Sequence, residues 1–222
     1  MKIIARIHND FDSKFGIPRQ SNVVQELKGR IVFEPEYRNE AALRGIEGFD
    51  YLWLIWQFSQ AVRDKWSPTV RPPILGGNTR VGVFATRSPF RPNAIGLSSV
   101  KLEKVELHTP EGPVLHISGA DLMNGTPILD IKPYLAYVDS HPEAAQGFRG
   151  QGWKRKLQVN FPSELLAKIP IEKQAGLLGV LENDPRPTYQ EDAQRIYGMS
   201  FGGQEIKFQV SEGVLQVVAI EG

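Results

Sequence analysis

Cysteine is absent from all 222 residues, which excludes a disulfide framework, a thiolate metal site and a cysteine nucleophile. Long apolar runs are missing too. The opening Met1 to Ile7 is broken by Lys2 and Arg6, so no leader and no membrane span is expected, and a soluble cytoplasmic protein is the default reading. Charge of one sign is also lacking: 26 Lys and Arg stand against 25 Asp and Glu, a net charge of +1. No global attraction to nucleic acid follows from that balance, and any RNA site must be a local patch.

Two cofactor signatures are missing as well. No Gly-Lys pair occurs, so the phosphate-cradling GxxxxGK[ST] loop is excluded. The glycine-rich Gly147 to Gly152 does not follow a strand in a βαβ unit, which argues against a dinucleotide-binding sheet. His8, His108, His116 and His141 show no metal-ligand spacing, so no metal is expected. Ser98 lies outside a GxSxG elbow, and an esterase reading has little support.

What the chain does have is punctuation: 21 glycines and 16 prolines fall in short groups between apolar stretches. Ile3 to Ile7, Leu27 to Phe33, Tyr51 to Phe58, Val81 to Ala85, Ile95 to Leu107, Val114 to Gly119 and Pro127 to Ile131 read as seven short strands. Only Asn39 to Ile46 looks helical there, with Asn39 as cap and Gly45 near its end. A mainly β fold follows, a single-sheet β-barrel. Composition shifts after Ser140, which divides the chain into a barrel domain over residues 1–145 and a small α+β domain over 146–222. In the latter, Ser163 to Ile169 and Ile171 to Asn183 carry helical spacing, and Arg195 to Phe201, Gln204 to Val210 and Val214 to Ile220 read as strands. A unit of about seventy residues is marginal alone and is expected to lean on the barrel.

One stretch stands out physically. Arg71 to Ser98, RPPILGGNTRVGVFATRSPFRPNAIGLS, gathers Arg71, Arg80, Arg87 and Arg91 with Gly76, Gly77, Pro89 and Pro92 around one short strand. Stiff loops, close backbone approach and bidentate cations suit an anion-gripping site. Hairpin loops with solvated arginines account for the same residues equally well. Asp121 to Pro127 is a tight polar turn, and Asp184-Pro185-Arg186-Pro187-Thr188-Tyr189 reads as a helix-terminating turn. Trp53, Trp56 and Phe58 read as core.

Taken together, PRQ at 18–20, RGIEGFDYLWLIW at 44–56, the 71–98 stretch, DLMNGTPILDIKPY at 121–134 and DPRPTY at 184–189 resemble the TrmO (TsaA/YaeB) family, in order and over nearly the whole chain. Three positions depart from the family pattern: Ser59 replaces a histidine, Ala94 a proline, and Asn124 an aspartate found in some members. The resemblance implies a homodimeric class VIII methyltransferase built on a β-barrel. It would transfer a methyl group from S-adenosylmethionine to N6 of threonylcarbamoyladenosine at position 37, in the tRNA anticodon loop.

Carried over residue by residue, the resemblance places cofactor contacts at Pro18, Arg19, Gln20, Ser59, Gln60, Arg87 and Leu97, and at Asp121, Asn124, Gly125, Thr126 and Pro127. Asp121, Asp184 and Tyr189 are candidate acceptors of the N6 proton. Arg80, Arg91, Lys132, Lys154, Arg155, Lys156 and Arg186 are candidate phosphate contacts. Two other readings stay open: a non-catalytic barrel that binds S-adenosylmethionine or RNA, and a methyltransferase for a small molecule.

Overall fold

A computed structural model describes residues 1–148, 156–187 and 192–222. The N-terminal part contains β1 (Ala5–His8), β2 (Lys28–Phe33), β3 (Tyr51–Gln57), β4 (Thr69–Val70), β5 (Val81–Gly82), β6 (Ile95–Glu106), β7 (Val114–Ser118), β8 (Pro127–Pro133) and the short helix α1 (Ala136–Asp139). Six of these strands close into an antiparallel barrel in the order β1-β2-β7-β6-β3-β8.

The alternation of apolar residues dictates which side faces in. In β3, Leu52, Leu54 and Trp56 are buried while the intervening residues are half-exposed, as a period of two requires. Register sets Leu52 opposite Val100, Leu54 opposite Ser98 and Trp56 opposite Gly96 on β6. With Ile7, Ile31, Leu115, Ile117 and Ile128 they fill the barrel. Trp56 is core, as its apolar strand suggests. Trp53 points outward, half-buried, and donates to Asp139 Oδ2 at 2.9 Å.

Two elements differ from the sequence reading. Val81 to Ala85 is no barrel strand: only Val81–Gly82 pairs, with Thr69–Val70, before a 3₁₀ turn over Val83–Ala85. Prolines at 68, 72, 73, 89 and 92 remove ladder donors and fix the backbone around it. The 58–94 segment is therefore a long arm outside a six-stranded barrel. Asn39 to Ile46 gives a 3₁₀ turn, Glu40–Leu43, capped by the Asn39 side chain on the Ala41 amide and ended by left-handed Gly45.

The C-terminal part packs β10 (Tyr197–Phe201), β11 (Gln204–Ser211) and β12 (Val214–Glu221), with β9 (Gln158–Asn160) parallel to β12, against α3 (Ile171–Glu182), preceded by α2 (Ser163–Leu166). Its core is not its own. The β1–β2 loop contributes Phe11, Val24 and Leu27 to the cluster of Leu177, Leu181, Phe201, Phe208 and Leu215. Phe11 meets Phe201 edge-on at 5.4 Å, Phe15 stacks near Phe208, and Lys173 pairs with Asp10 at 2.6 Å. Close approach of α3 depends on glycine: a Cβ on Gly179 would lie 2.6 Å from Val24 Cγ1. The loop bearing Pro18, Arg19 and Gln20 is thus clamped between barrel and C-terminal sheet. No helix among the described residues is long and apolar enough to cross a membrane.

Candidate functional site

Three chain segments distant in sequence converge where β6 leaves β7. The β6 ladder to β3 spans Ile95 to Lys101, whereas its ladder to β7 begins only at Lys101 opposite Ser118. The β1–β2 loop covers this stretch. Asn22 donates through Nδ2 to Ser99, at 3.1 Å to the carbonyl and 2.9 Å to Oγ, and its amide bonds the Gly119 carbonyl at 2.8 Å. Gly119 has φ +77°, and a Cβ there would come 2.5 Å from Asn22 Oδ1, so glycine lets the loop close.

Asp121 is the meeting point. Its Oδ1 accepts from Ser98 Oγ at 2.6 Å, and Ser98 Oγ accepts from Trp56 Nε1 at 3.0 Å. The backbone amides of Ser21 and of Asp121 itself also serve the carboxylate, and Arg87 faces it. Burial pushes the Asp121 carboxyl above its ordinary range, and the Ser98 hydroxyl, those amides and the Arg87 charge pull partly the other way. Such a group is a better proton acceptor than a surface aspartate.

Arg87 bonds the Gln20 side-chain oxygen, and the Gln20 amide turns back onto the Arg19 carbonyl. Arg19 reaches the Arg186 carbonyl at 3.1 Å. Among the described residues neither Arg19 nor Arg87 forms an ion pair, so both guanidinium groups keep their charge for a ligand. Leu97 is 55% exposed on the outer face of β6, beside Ser98, and offers an apolar surface there.

The 121–127 turn is rigid. Asn124 Oδ1 accepts from the Asn9 amide at 3.2 Å, its Nδ2 donates to Asp12 at 2.8 Å, and its own amide bonds the Phe11 carbonyl at 2.7 Å. Gly125 adopts φ +76°, with open space where a Cβ would stand, and Thr126 caps the turn on the Met123 carbonyl at 2.7 Å. Pro127 is buried as β8 begins. Ser59 and Gln60 are exposed at the end of β3, and Gln60 Nε2 lies 3.6 Å from Met123 Sδ, which ties that corner to the same turn. Pro18 is half-buried in the clamped loop.

The remaining site expectations separate. Asp184 and Arg186 are 6% and 9% exposed and form a bidentate pair, Oδ1 to Nε at 2.8 Å and Oδ2 to Nη2 at 3.0 Å. The Arg186 guanidinium, buried in this pair, is no surface phosphate contact. Arg80 and Arg91 lie on the arm, bonded to Thr69 Oγ1 and the Thr86 carbonyl. Lys132 and Lys156 are exposed but paired with Asp130 and Glu182. Tyr189, Lys154 and Arg155 lie outside the described residues.

A separate open groove of about 470 Å³ runs along the seam between the barrel flank and α3, lined by His8, Lys28, Arg30, Glu103, His116 and Lys173. Its cations already hold acids: Lys28 with Glu103, Arg30 with Glu111 and Lys173 with Asp10.

Asp121, Arg87 and Leu97 are marked by the motifs, whereas Ser98 and Trp56, which hold Asp121, and Asn22, which ties the loop to Ser99, are not. The strict alternation of β3 and β6, which points Trp56 and Ser98 into one interior, was the available signal.

Two exposed guanidinium groups, the Asp121 carboxylate and an exposed leucine, carried on stiff turns outside a six-stranded barrel, make up the candidate site. Residues 6–140 match the tRNA-methyltransferase O N-terminal domain and residues 154–222 the TrmO C-terminal domain. The tRNA (adenine(37)-N6)-methyltransferase of Escherichia coli K12 is 37% identical over 226 residues, covering 98% of this chain and 96% of that one. A Pseudomonas aeruginosa protein whose given name proposes an S-adenosylmethionine-dependent methyltransferase is 38% identical over 206 residues, 88% of this chain and 86% of its own. A TrmO crystal structure superposes with a TM-score of 0.80 at 30% identity, over 99% of this chain and 97% of that one. The chain belongs to the TrmO family.

Proposed function

We propose that this protein is a tRNA adenine-37 methyltransferase that uses S-adenosylmethionine and acts on N6 of threonylcarbamoyladenosine. The placement of Arg87, Ser98 and the Ser21 amide around the Asp121 carboxylate carries the reading, within a family that includes a relative named tRNA (adenine(37)-N6)-methyltransferase. The groups present fit the donor. Arg19 and Arg87 suit a methionyl carboxylate, Leu97 an adenine face, and the turn amides around Asn124 to Thr126 its polar edges.

Bound S-adenosylmethionine supplies an electrophilic methyl group on a sulfonium. The chain's own work is alignment and proton management. Rigid loops hold the reacting atoms in line, an effect on the order of 7 to 11 kcal/mol at best. Asp121 accepts the proton that N6 releases as it gains the methyl group. Asp184, engaged by Arg186, keeps a positioning role, since the loop it shapes anchors Arg19.

RNA contact centres on the arm. Residues 58–94 hold Arg63, Lys65, Arg71, Arg80, Arg87 and Arg91 against Asp64 alone, six cations less one acid, a local charge of +5 in a chain of net +1. That patch draws phosphates, with Lys132 and the Lys154 to Lys156 cluster as outlying contacts. The same arm exposes Val62, Trp66, Phe84 and Phe90, with Phe84 at 73% and Trp66 at 52%. An apolar strip of this kind beside the site suits a second copy, so the working form is a homodimer whose partner borders the cofactor site. A cytoplasmic location goes with a tRNA substrate.

Incubating protein, S-adenosylmethionine and threonylcarbamoylated tRNA, then analysing nucleosides by mass spectrometry, tests the function. One added methyl group on the modified adenosine is expected. Donor binding without product would favour a non-catalytic binder, and methylation of metabolites alone a small-molecule enzyme.

A further inference from the structure

Gly96 and Ser98 belong to the Arg71 to Ser98 stretch, yet neither faces a ligand: both are buried in the barrel. Their neighbour Leu97 is the one that looks outward. The interior row Trp56, Gly96, Ser98 nevertheless ends on the site. A Cβ on Gly96 would stand 2.2 Å from Trp56 Cε2, so only glycine lets the indole lie across β6. Seated there, Trp56 Nε1–H donates to Ser98 Oγ at 3.0 Å, which occupies an acceptor position of the hydroxyl. The single Ser98 proton is left pointing at Asp121 Oδ1, 2.6 Å away. Ser98 is 1% exposed, with Leu52, Leu54 and Val100 around it, and these two bonds satisfy a hydroxyl otherwise costly to bury.

We propose that Ser98, oriented by Trp56 over Gly96, is a positioning residue for methyl transfer, fixing the Asp121 carboxylate in the pose that receives the N6 proton. The inference rests on the reading of Asp121 as proton acceptor. Arg87 is the charged side chain that faces this carboxylate; Ser98 on β6, the Ser21 amide on the β1–β2 loop and the Asp121 amide itself are uncharged. The Ser98 bond favours the ionised form and opposes burial. Removing it therefore makes Asp121 harder to ionise, and the proton acceptor is lost at a higher pH than in the wild type.

The test is the pH dependence of single-turnover methyl transfer, measured with saturating S-adenosylmethionine and tRNA on variants first shown to be folded by circular dichroism. Ser98→Ala is expected to move the midpoint of the acid limb up by about one pH unit. Ser98→Thr, which keeps the hydroxyl, returns it towards the wild-type value. Where Ser98→Ala does not fold, Trp56→Phe carries the test, with a smaller shift in the same direction because the hydroxyl is then free to turn away. An even loss of rate at every pH, with the midpoint unmoved, overturns the proposal. Asp121→Asn separates the two readings: full activity with an intact acid limb removes Asp121 as acceptor. An inactive Asp121→Asn beside an unmoved Ser98→Ala midpoint removes only the positioning role.

Discussion

The Arg19 guanidinium donates to the backbone carbonyl of Arg186 at 3.1 Å, so the β1–β2 loop hangs from the turn that ends α3. That turn is held by the buried Asp184–Arg186 pair, with Asp184 in a left-handed conformation at φ +52°. Replacing Arg186 by Ala leaves Asp184 buried without its guanidinium and should cost about 3–5 kcal/mol in a denaturant titration. Cofactor affinity should fall with it. Asp184→Asn should lower stability while leaving the acid limb of the rate profile in place, because the proposed proton acceptor is Asp121.

The shared core makes a second expectation. Phe11 is 2% exposed and lies wholly within the C-terminal cluster, although it belongs to the β1–β2 loop. Phe11→Ala should destabilise the protein by about 3–5 kcal/mol. Hydrogen exchange should show the loss in β10 to β12 as well as in the loop, and a fragment of residues 156–222 alone should lack a cooperative unfolding transition.

Acid stability should depend on Glu103. Its carboxyl is lowered from 4.5 to about 2, first by the Ser118 hydroxyl, then by Lys28 and Lys101, against a burial effect of opposite sign. A depressed folded value contributes stability that is complete above the unfolded value and lost as pH falls through the folded one. The contribution should therefore disappear between about pH 4.5 and about pH 2. Glu103→Gln and Ser118→Ala should each flatten the stability curve in that window by lowering stability at neutral pH while leaving it nearly unaffected near pH 2, as thermal melts will show.

The arm should govern salt dependence. Reversing both Arg80 and Arg91 to Glu should weaken tRNA binding and reduce the slope of log affinity against log salt by about 0.7–0.9 for each phosphate that is no longer neutralised. An unchanged slope would place the RNA elsewhere.

Association should also run through the arm. Phe84→Glu should shift sedimentation to the monomer and lower specific activity, as dilution should do for the wild type, whereas a fully active monomer would contradict a shared site.

The sequence made the barrel legible because alternation in Tyr51 to Phe58 and Ile95 to Leu107 leaves one inward face per strand. It misjudged Val81 to Ala85, where a β-rich composition lies among prolines that deny it ladder partners. The Asp121 turn, Arg87 and Leu97 came from motif resemblance, which marks positions but not their supports. Ser98 and Trp56 stayed hidden because their link is a cross-strand register, and Arg186 looked like a surface cation because its partner two residues away reaches it only through a left-handed Asp184. The parallel pairing of Gln158–Asn160 with β12 is non-local and leaves no local pattern to read.

Crystallographic density for S-adenosylmethionine soaked into the protein tests the site itself most directly. The donor is expected between Arg19, Arg87, Leu97 and the 121–127 turn, with a polar edge reaching Asp121. Density in the groove beside Lys28 and Lys173, with those loops bare, would contradict it.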